Sequence, residues 1–208
     1  MQKYFLFILI SLSCFITTVK ACTIFSCARG GEVLAAANED DTTPFTRIWY
    51  NPGTKDRYAS VCFGAPDMQI AAAMNEHGLF FDYTAANYDL SKLNLTNPYP
   101  GDIMWEVLGK CKTVKEAMLI LKKYDYISSS KVLIADKEGN SITVNPKGIV
   151  EKTGDFQVNA NCNMINGKLS CLRPEIAAEM LSVSKENNVE FLKKILDKTH
   201  QEGELNTL

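Results

Sequence analysis

The chain has 208 residues, 46% hydrophobic, 22% charged and 10% aromatic, with 22 basic side chains against 24 acidic ones. That mix excludes a disordered chain, and a near-neutral balance without a basic run argues against a nucleic-acid partner. The length suggests one domain, and no internal repeat is visible.

The first segment is set apart from the fold. Lys3 supplies a basic start, and Phe5 to Phe15 is an apolar run of eleven residues, too short to span a bilayer comfortably. Val19-Lys20-Ala21 then places short residues at −3 and −1 before Cys22, so residues 1–21 read as a secretory signal cleaved after Ala21. The expected mature protein is a single domain over 22–208, with 20 basic residues, 24 acidic ones and no later membrane segment. Its localisation would be exported: periplasmic, extracellular or lysosome-like.

Cys22–Ala28 and Glu32–Asn38 read as two strands joined at Gly30-Gly31, because both glycines accept positive φ. Further strands are expected at Arg47–Asn51, Tyr58–Phe63, Ile70–Met74 and Leu79–Tyr83, with Asn75-Glu76-His77-Gly78 as a turn. Asn87–Gly101 reads as a long loop carrying Asn94-Leu95-Thr96, a glycosylation acceptor in a eukaryotic host. Asp102–Cys111 is a helix, and Thr113-Val114-Lys115-Glu116 is a capping box that opens a second. Strands return at Lys131–Ala135, Ser141–Val144 and Phe156–Asn161. Pro174 suits the first turn of a helix containing Ile176, Ala177, Met180 and Leu181, and Val189, Leu192, Ile195 and Leu196 mark another. This order predicts an α+β fold, with sheets covered by helices.

Six cysteines remain after the signal: Cys22, Cys27, Cys62, Cys111, Cys162 and Cys171. Cys162 and Cys171 flank the turn-prone Asn166-Gly167 and can pair across it; the alternative is small buried thiols. With no C-x-x-C and only His77 and His200, a zinc site is not expected and papain-like Cys–His chemistry is disfavoured. Cys22 is the sharpest feature. Cleavage before it frees an α-amine, ordinarily of pKa about 7.7–8.0, that can take the thiol proton without a histidine. Two other readings stand beside this one: a lipidated lipoprotein cysteine, which Lys20 fits badly, and a small residue starting a buried strand.

Cys22-Thr23-Ile24-Phe25, Asn38-Glu39-Asp40 and Met74-Asn75-Glu76-His77-Gly78-Leu79 occur in sequence, followed by Leu133-Ile134-Ala135-Asp136 with Gly139-Asn140, then Asn161 and Ser170-Cys171-Leu172-Arg173. In this order and spacing, over 22 to about 200, they resemble the choloylglycine hydrolase and penicillin V acylase superfamily. The likeness is closer to its acyl-CoA:6-aminopenicillanate acyltransferase-like branch. The resemblance implies an N-terminal-nucleophile hydrolase fold, an αββα four-layer sandwich with Cys22 opening a central strand. Gln201–Leu208 reads as the run into another strand, which would leave the domain truncated at its C-terminal end.

The resemblance also implies roles. Cys22 is the nucleophile, and Asp40 is the carboxylate that holds its α-amino group. Asn161 is the oxyanion-hole amide, with Asn159 and Asn163 as alternatives two residues away. Arg173 is a positive charge favouring the thiolate, or else a surface charge before a helix. The expected substrate is a small-molecule N-acyl amide, with no metal or organic cofactor; homo-oligomers remain open. Acyl transfer and a lipid-anchored binding protein without turnover are the alternative functions. Three departures argue against bile salts and penicillin V as substrates. Ala37 stands where those enzymes often carry arginine, Ala85 and Ala86 where they place an asparagine, and the interval from Asn161 to Arg173 is short.

Overall fold

The computed structural model describes residues 22–41, 45–86, 88–161, 164–165, 168–169, 172–200 and 206–207. The expected signal and the Cys162–Cys171 pair lie outside them. The first half holds strands β1 (Thr23–Arg29), β2 (Glu32–Asn38), β3 (Asp40–Asp41), β4 (Arg47–Asn51), β5 (Ser60–Gly64), β6 (Ile70–Asn75) and β7 (Phe80–Ala85). Helices α1 (Ile103–Lys110) and α2 (Val114–Lys123) follow, then β8 (Ser130–Ala135), β9 (Ser141–Asn145), β10 (Gly148–Glu151) and β11 (Phe156–Ala160). The two-residue strands β12 (Met164–Ile165) and β13 (Lys168–Leu169) pair with each other. Helices α3 (Arg173–Val183) and α4 (Val189–Thr199) come next, and β14 (Asn206–Thr207) pairs with β3.

Two antiparallel sheets carry the fold: a three-stranded one ordered β11-β1-β2 and a seven-stranded one ordered β10-β9-β8-β7-β6-β5-β4. Strand side chains alternate between faces, so each sheet sorts its apolar residues into two layers. On β1, Phe25 and Cys27 pack against Ala177 and Leu181 of α3 and Phe191, Leu192 and Ile195 of α4. Ile24, on the other face, meets Leu133 and Ala135 of β8. The far face of the large sheet buries Cys62, Phe81, Val132, Ile134 and Val144 against Met104, Val107 and Leu108 of α1 and Ala117 and Leu121 of α2. The result is the four-layer αββα arrangement. The small sheet lies over β7, β8 and β9. Farther out on β4–β6, Ile48, Tyr50, Phe63 and Met74 are exposed. No helix among the described residues is long and apolar enough to cross a membrane.

Local chemistry accounts for most element ends. Gly30 and Gly31 have φ of 62° and 84°, and the register pairs Arg29 with Glu32, giving the two-residue hairpin that positive φ permits. Thr113 accepts the Glu116 N–H at 3.2 Å, while the Glu116 carboxylate reaches back to the Lys112 N–H at 2.6 Å. The long loop contains one short 3-10 turn, Leu90–Lys92, capped by Asp89. Strand β10 was not expected; it forms a hairpin with β9, Gly148 pairing with Asn145.

Two of the motifs behind the family resemblance are structural clamps. The Asn75 amide donates to Leu108 O at 2.8 Å and Cys111 O at 2.7 Å, and its Oδ1 accepts from His77 N and Leu79 N, both at 3.1 Å. One buried side chain thus closes the β6–β7 turn and ties it to the C-terminal end of α1. Asp136 works similarly: it accepts the Val114 N–H at 2.8 Å and the Glu138 and Asn140 N–H groups at 3.0 Å. Gly139 in that turn has φ of 88°, and a Cβ there would lie 2.8 Å from Ala28 Cβ. Asn75→Ala leaves two carbonyls and two N–H groups without their buried partner. It is expected to lower unfolding free energy by about 3 kcal/mol, measured by urea titration.

Candidate active site

The site grows out of the register of β1. Thr23 pairs with Ala160 on one side and Asn38 on the other, so Cys22, one step earlier, falls between Asn161 and Glu39. The Asn161 N–H donates to Cys22 O at 3.3 Å. By strand alternation Cys22, Asn161 and Glu39 share the face of Ile24, which looks into the gap between the sheets. Across the gap stand Asp82 of β7 and Lys131 of β8; the Lys131 ammonium donates to Ala160 O, next to Asn161.

Cys22 is 8% exposed, and its thiol donates to Glu39 Oε2 at 3.6 Å. Burial first, and the Glu39 carboxylate second, push this thiol far above the ordinary range; the Asp40 backbone N–H pulls the other way. Asp82 is 1% exposed, with the Tyr83 backbone N–H and the Glu39 carboxyl as its neighbours. Burial and then the Glu39 charge hold the Asp82 carboxyl well above its ordinary value of 3.8.

The four residues expected from the sequence come to the same end of the small sheet, in two groups. Cys22 and Asn161 are adjacent in the gap. Asp40 and Arg173 form an ion pair, Nη1 to Oδ2 at 2.6 Å, with the Asp40 carboxylate buried and Arg173 opening α3. Asp40 thus meets Cys22 through its backbone N–H, while its carboxylate meets Arg173. Asn159 is buried beside Ile24, and Asn163 lies outside the described residues. Glu39, Asp82 and Lys131 were not anticipated. Cys27, Cys62 and Cys111 are buried free thiols. His77 packs edge-on against Tyr58, with ring centroids 4.3 Å apart.

A cavity of about 870 Å³ lies on the opposite face of the large sheet, between Tyr83, the start of α1 and residues 125–130. Cys22 does not line it.

A cysteine opening a central strand between two helix-backed sheets places the protein among the N-terminal-nucleophile hydrolase folds. More narrowly, the sequence profile of the family described as acyl-coenzyme A:6-aminopenicillanic acid acyl-transferase matches residues 28–169, and the protein belongs to that family. The matched segment starts after Cys22. No curated protein matches it in sequence. Several solved structures share the fold. A mutant of conjugated bile acid hydrolase from Clostridium perfringens is 17% identical with a TM-score of 0.57, over 86% of this protein and 78% of that one. Penicillin V acylase from Agrobacterium tumefaciens is 18% identical with a TM-score of 0.54, over 86% and 71%. The Caenorhabditis elegans ortholog of N-acylethanolamine-hydrolyzing acid amidase is 16% identical with a TM-score of 0.58, over 84% and 85%.

The Asp82 carboxyl has a pH signature. Its raised folded-state value favours the native state while the group is protonated, and that contribution is lost as pH rises from about 3.8 through the raised value. Asp82→Asn should therefore raise Tm at pH 7 to 8. The gain over wild type should shrink toward pH 4, as read by calorimetry across pH.

Proposed function

We propose that the protein hydrolyses linear, non-peptide C–N amide bonds of small N-acyl amides, with Cys22 as an N-terminal nucleophile. The observation that carries this reading is the placement of Cys22 beside Asn161 and Glu39 in the gap between the sheets, in a member of an acyltransferase family. The named activities of the three fold neighbours, hydrolysis of conjugated bile acids, penicillin V and N-acylethanolamines, lend it support as a class.

The chemistry follows from the buried thiol. A thiol pushed upward by burial is a weak nucleophile until a base takes its proton. Removal of residues 1–21 gives Cys22 a free α-amine on the same residue, near its working pH. Sulfur then attacks the carbonyl carbon and the proton passes to the amine. The tetrahedral oxyanion takes a hydrogen bond from the Asn161 amide, an interaction worth about 3–4 kcal/mol in comparable sites. The protonated amine returns the proton to the leaving nitrogen, leaving an S-acyl enzyme that water hydrolyses. An amine in place of that water gives acyl transfer, the second outcome available to this family.

Two variants test the reading together. Cys22→Ala leaves a small residue after Ala21, so processing should continue while amide turnover falls to background. Inserting one residue before Cys22 keeps the thiol but displaces the amine. The expected loss in kcat/KM is of order 10²–10⁴-fold, the usual worth of a general base. Near-wild-type turnover by the insertion variant, its N-terminus confirmed by mass, would falsify the mechanism.

A further inference from the structure

Resting on the reading of Cys22 as the nucleophile, we propose that Glu39 selects substrates by charge: the site takes amides that carry a cationic group within a few bonds of the scissile carbonyl and turns away anionic ones.

The central place of β1 gives Cys22 two unlike flanks. On the β11 flank stand Asn161, whose N–H meets Cys22 O at 3.3 Å, and the Lys131 ammonium, which donates to the neighbouring Ala160 carbonyl. On the β2 flank stands Glu39, its Oε2 3.6 Å from Sγ. Ala37 pairs with Ile24 on the gap face, so by alternation β2 and the residue after it present Val33, Ala35, Ala37 and Glu39 to the gap. Three of these four are small or apolar, and the fourth brings a carboxylate to the sulfur. Glu39 is half-buried, so its charge is screened less than in bulk water while a substrate can still reach it.

A carbonyl carbon poised for attack lies about 3–3.5 Å from the sulfur. Its oxygen belongs on the Asn161 flank, where the oxyanion is met. The carbon then turns a remaining substituent, acyl chain or amine, toward Glu39. A charge one or two bonds farther along sits roughly 4–7 Å from the carboxylate, given ordinary bond lengths. At such a distance, near a protein surface, one full charge changes binding by a factor on the order of ten or more.

The other charged groups do not cancel this preference. Asp40 and Arg173 offset one another in their ion pair at 2.6 Å. Asp82 faces the same gap from β7 and adds to the same sign whenever it ionises. Lys131 lies on the opposite flank, where a positive charge suits the developing oxyanion. The gap is therefore polarised across a single sulfur, with the carbonyl oxygen drawn to one side and a cationic group to the other. That cation can be the ammonium of an aminoacyl group or an ammonium on the leaving amine.

The test uses mature protein beginning at Cys22, verified by mass. One substrate series fixes the acyl group and compares 2-aminoethyl, propyl and carboxymethyl amides. A second compares glycyl with propionyl amides of one amine. Wild type should favour the cationic member of at least one series by about tenfold or more in kcat/KM, and the series that responds tells which side of the amide carries the charge. Glu39→Gln should erase most of that preference, and Glu39→Asp should keep most of it. The intrinsic reactivity of each amide cancels between variants, and a loosened fold lowers all members together. Independently of turnover, Cys22 is modified with trimethylammonioethyl, methyl and sulfonatoethyl methanethiosulfonates, read by peptide mass. The cationic reagent should outpace the anionic one in wild type, and the ratio should collapse in Glu39→Gln. An anionic preference, or ratios unmoved by Glu39→Gln, overturns the proposal. If both series are inert, or Cys22→Ala retains turnover, the nucleophile reading fails by itself, and the reagent ratio still decides the role of Glu39.

Discussion

The site depends on one constraint: β1 is held in antiparallel register by β2 on one side and β11 on the other. The first partner is seventeen residues away in sequence at Glu39, the second well over a hundred at Asn161. A slip of one residue in either pairing would turn every second side chain of the strand to the other layer. It would put Cys22 on the helix side, away from Asn161. The register is secured at the far end of the strand, where the Gly30-Gly31 turn fixes the hairpin. There Arg29 joins Asp155, the Leu181 carbonyl at 2.5 Å and the Ser184 carbonyl at 2.7 Å. A charge-assisted cluster at one end of β1 thus sets the position of a thiol at the other.

The long separation of β1 from β11 also orders assembly. Non-local strand pairing is the slow part of folding, because the intervening segment must be ordered before the contact is rewarded. In the folded protein Cys22 has Glu39 of the hairpin on one side and Asn161 on the other. Docking of β11 adds the Asn161 contact and, with it, the Lys131 ammonium from the large sheet. The burial that raises the thiol is therefore a property of the completed sandwich.

Much of this was legible in the residues, and the reasons are physical. Alternating apolar strands, a double-glycine turn and a Thr-x-x-Glu cap are local signals, and β2, β4 and the starts of α1 and α2 fall where they point. Strand β10 was hidden because Gly148-Ile149-Val150-Glu151 is short and follows Pro146, a residue that breaks ladders. Asp82 was hidden for a different reason. An acid within a strand reads as solvent-facing unless both faces of that strand are covered. The doubled aromatics Phe80-Phe81 just before Asp82 were the available sign of two-sided burial. Asn75 and Asp136 show the converse: motifs that carry a family resemblance serve here to hold turns. Asp40 and Arg173 were found as residues, and their mutual ion pair needed three dimensions to see.

Asp82 has one more consequence, for anyone evolving this protein in the laboratory. A buried acid facing another acid is a place where the native state gives up stability, and such places are the easiest to improve. A heat-challenge screen blind to turnover will favour neutral residues at position 82, because they remove an unfavourable burial at no packing cost. Asp82 faces the same gap as Cys22, so the hardiest survivors of such a screen will be altered beside the candidate nucleophile. Robustness and rate must then be selected together.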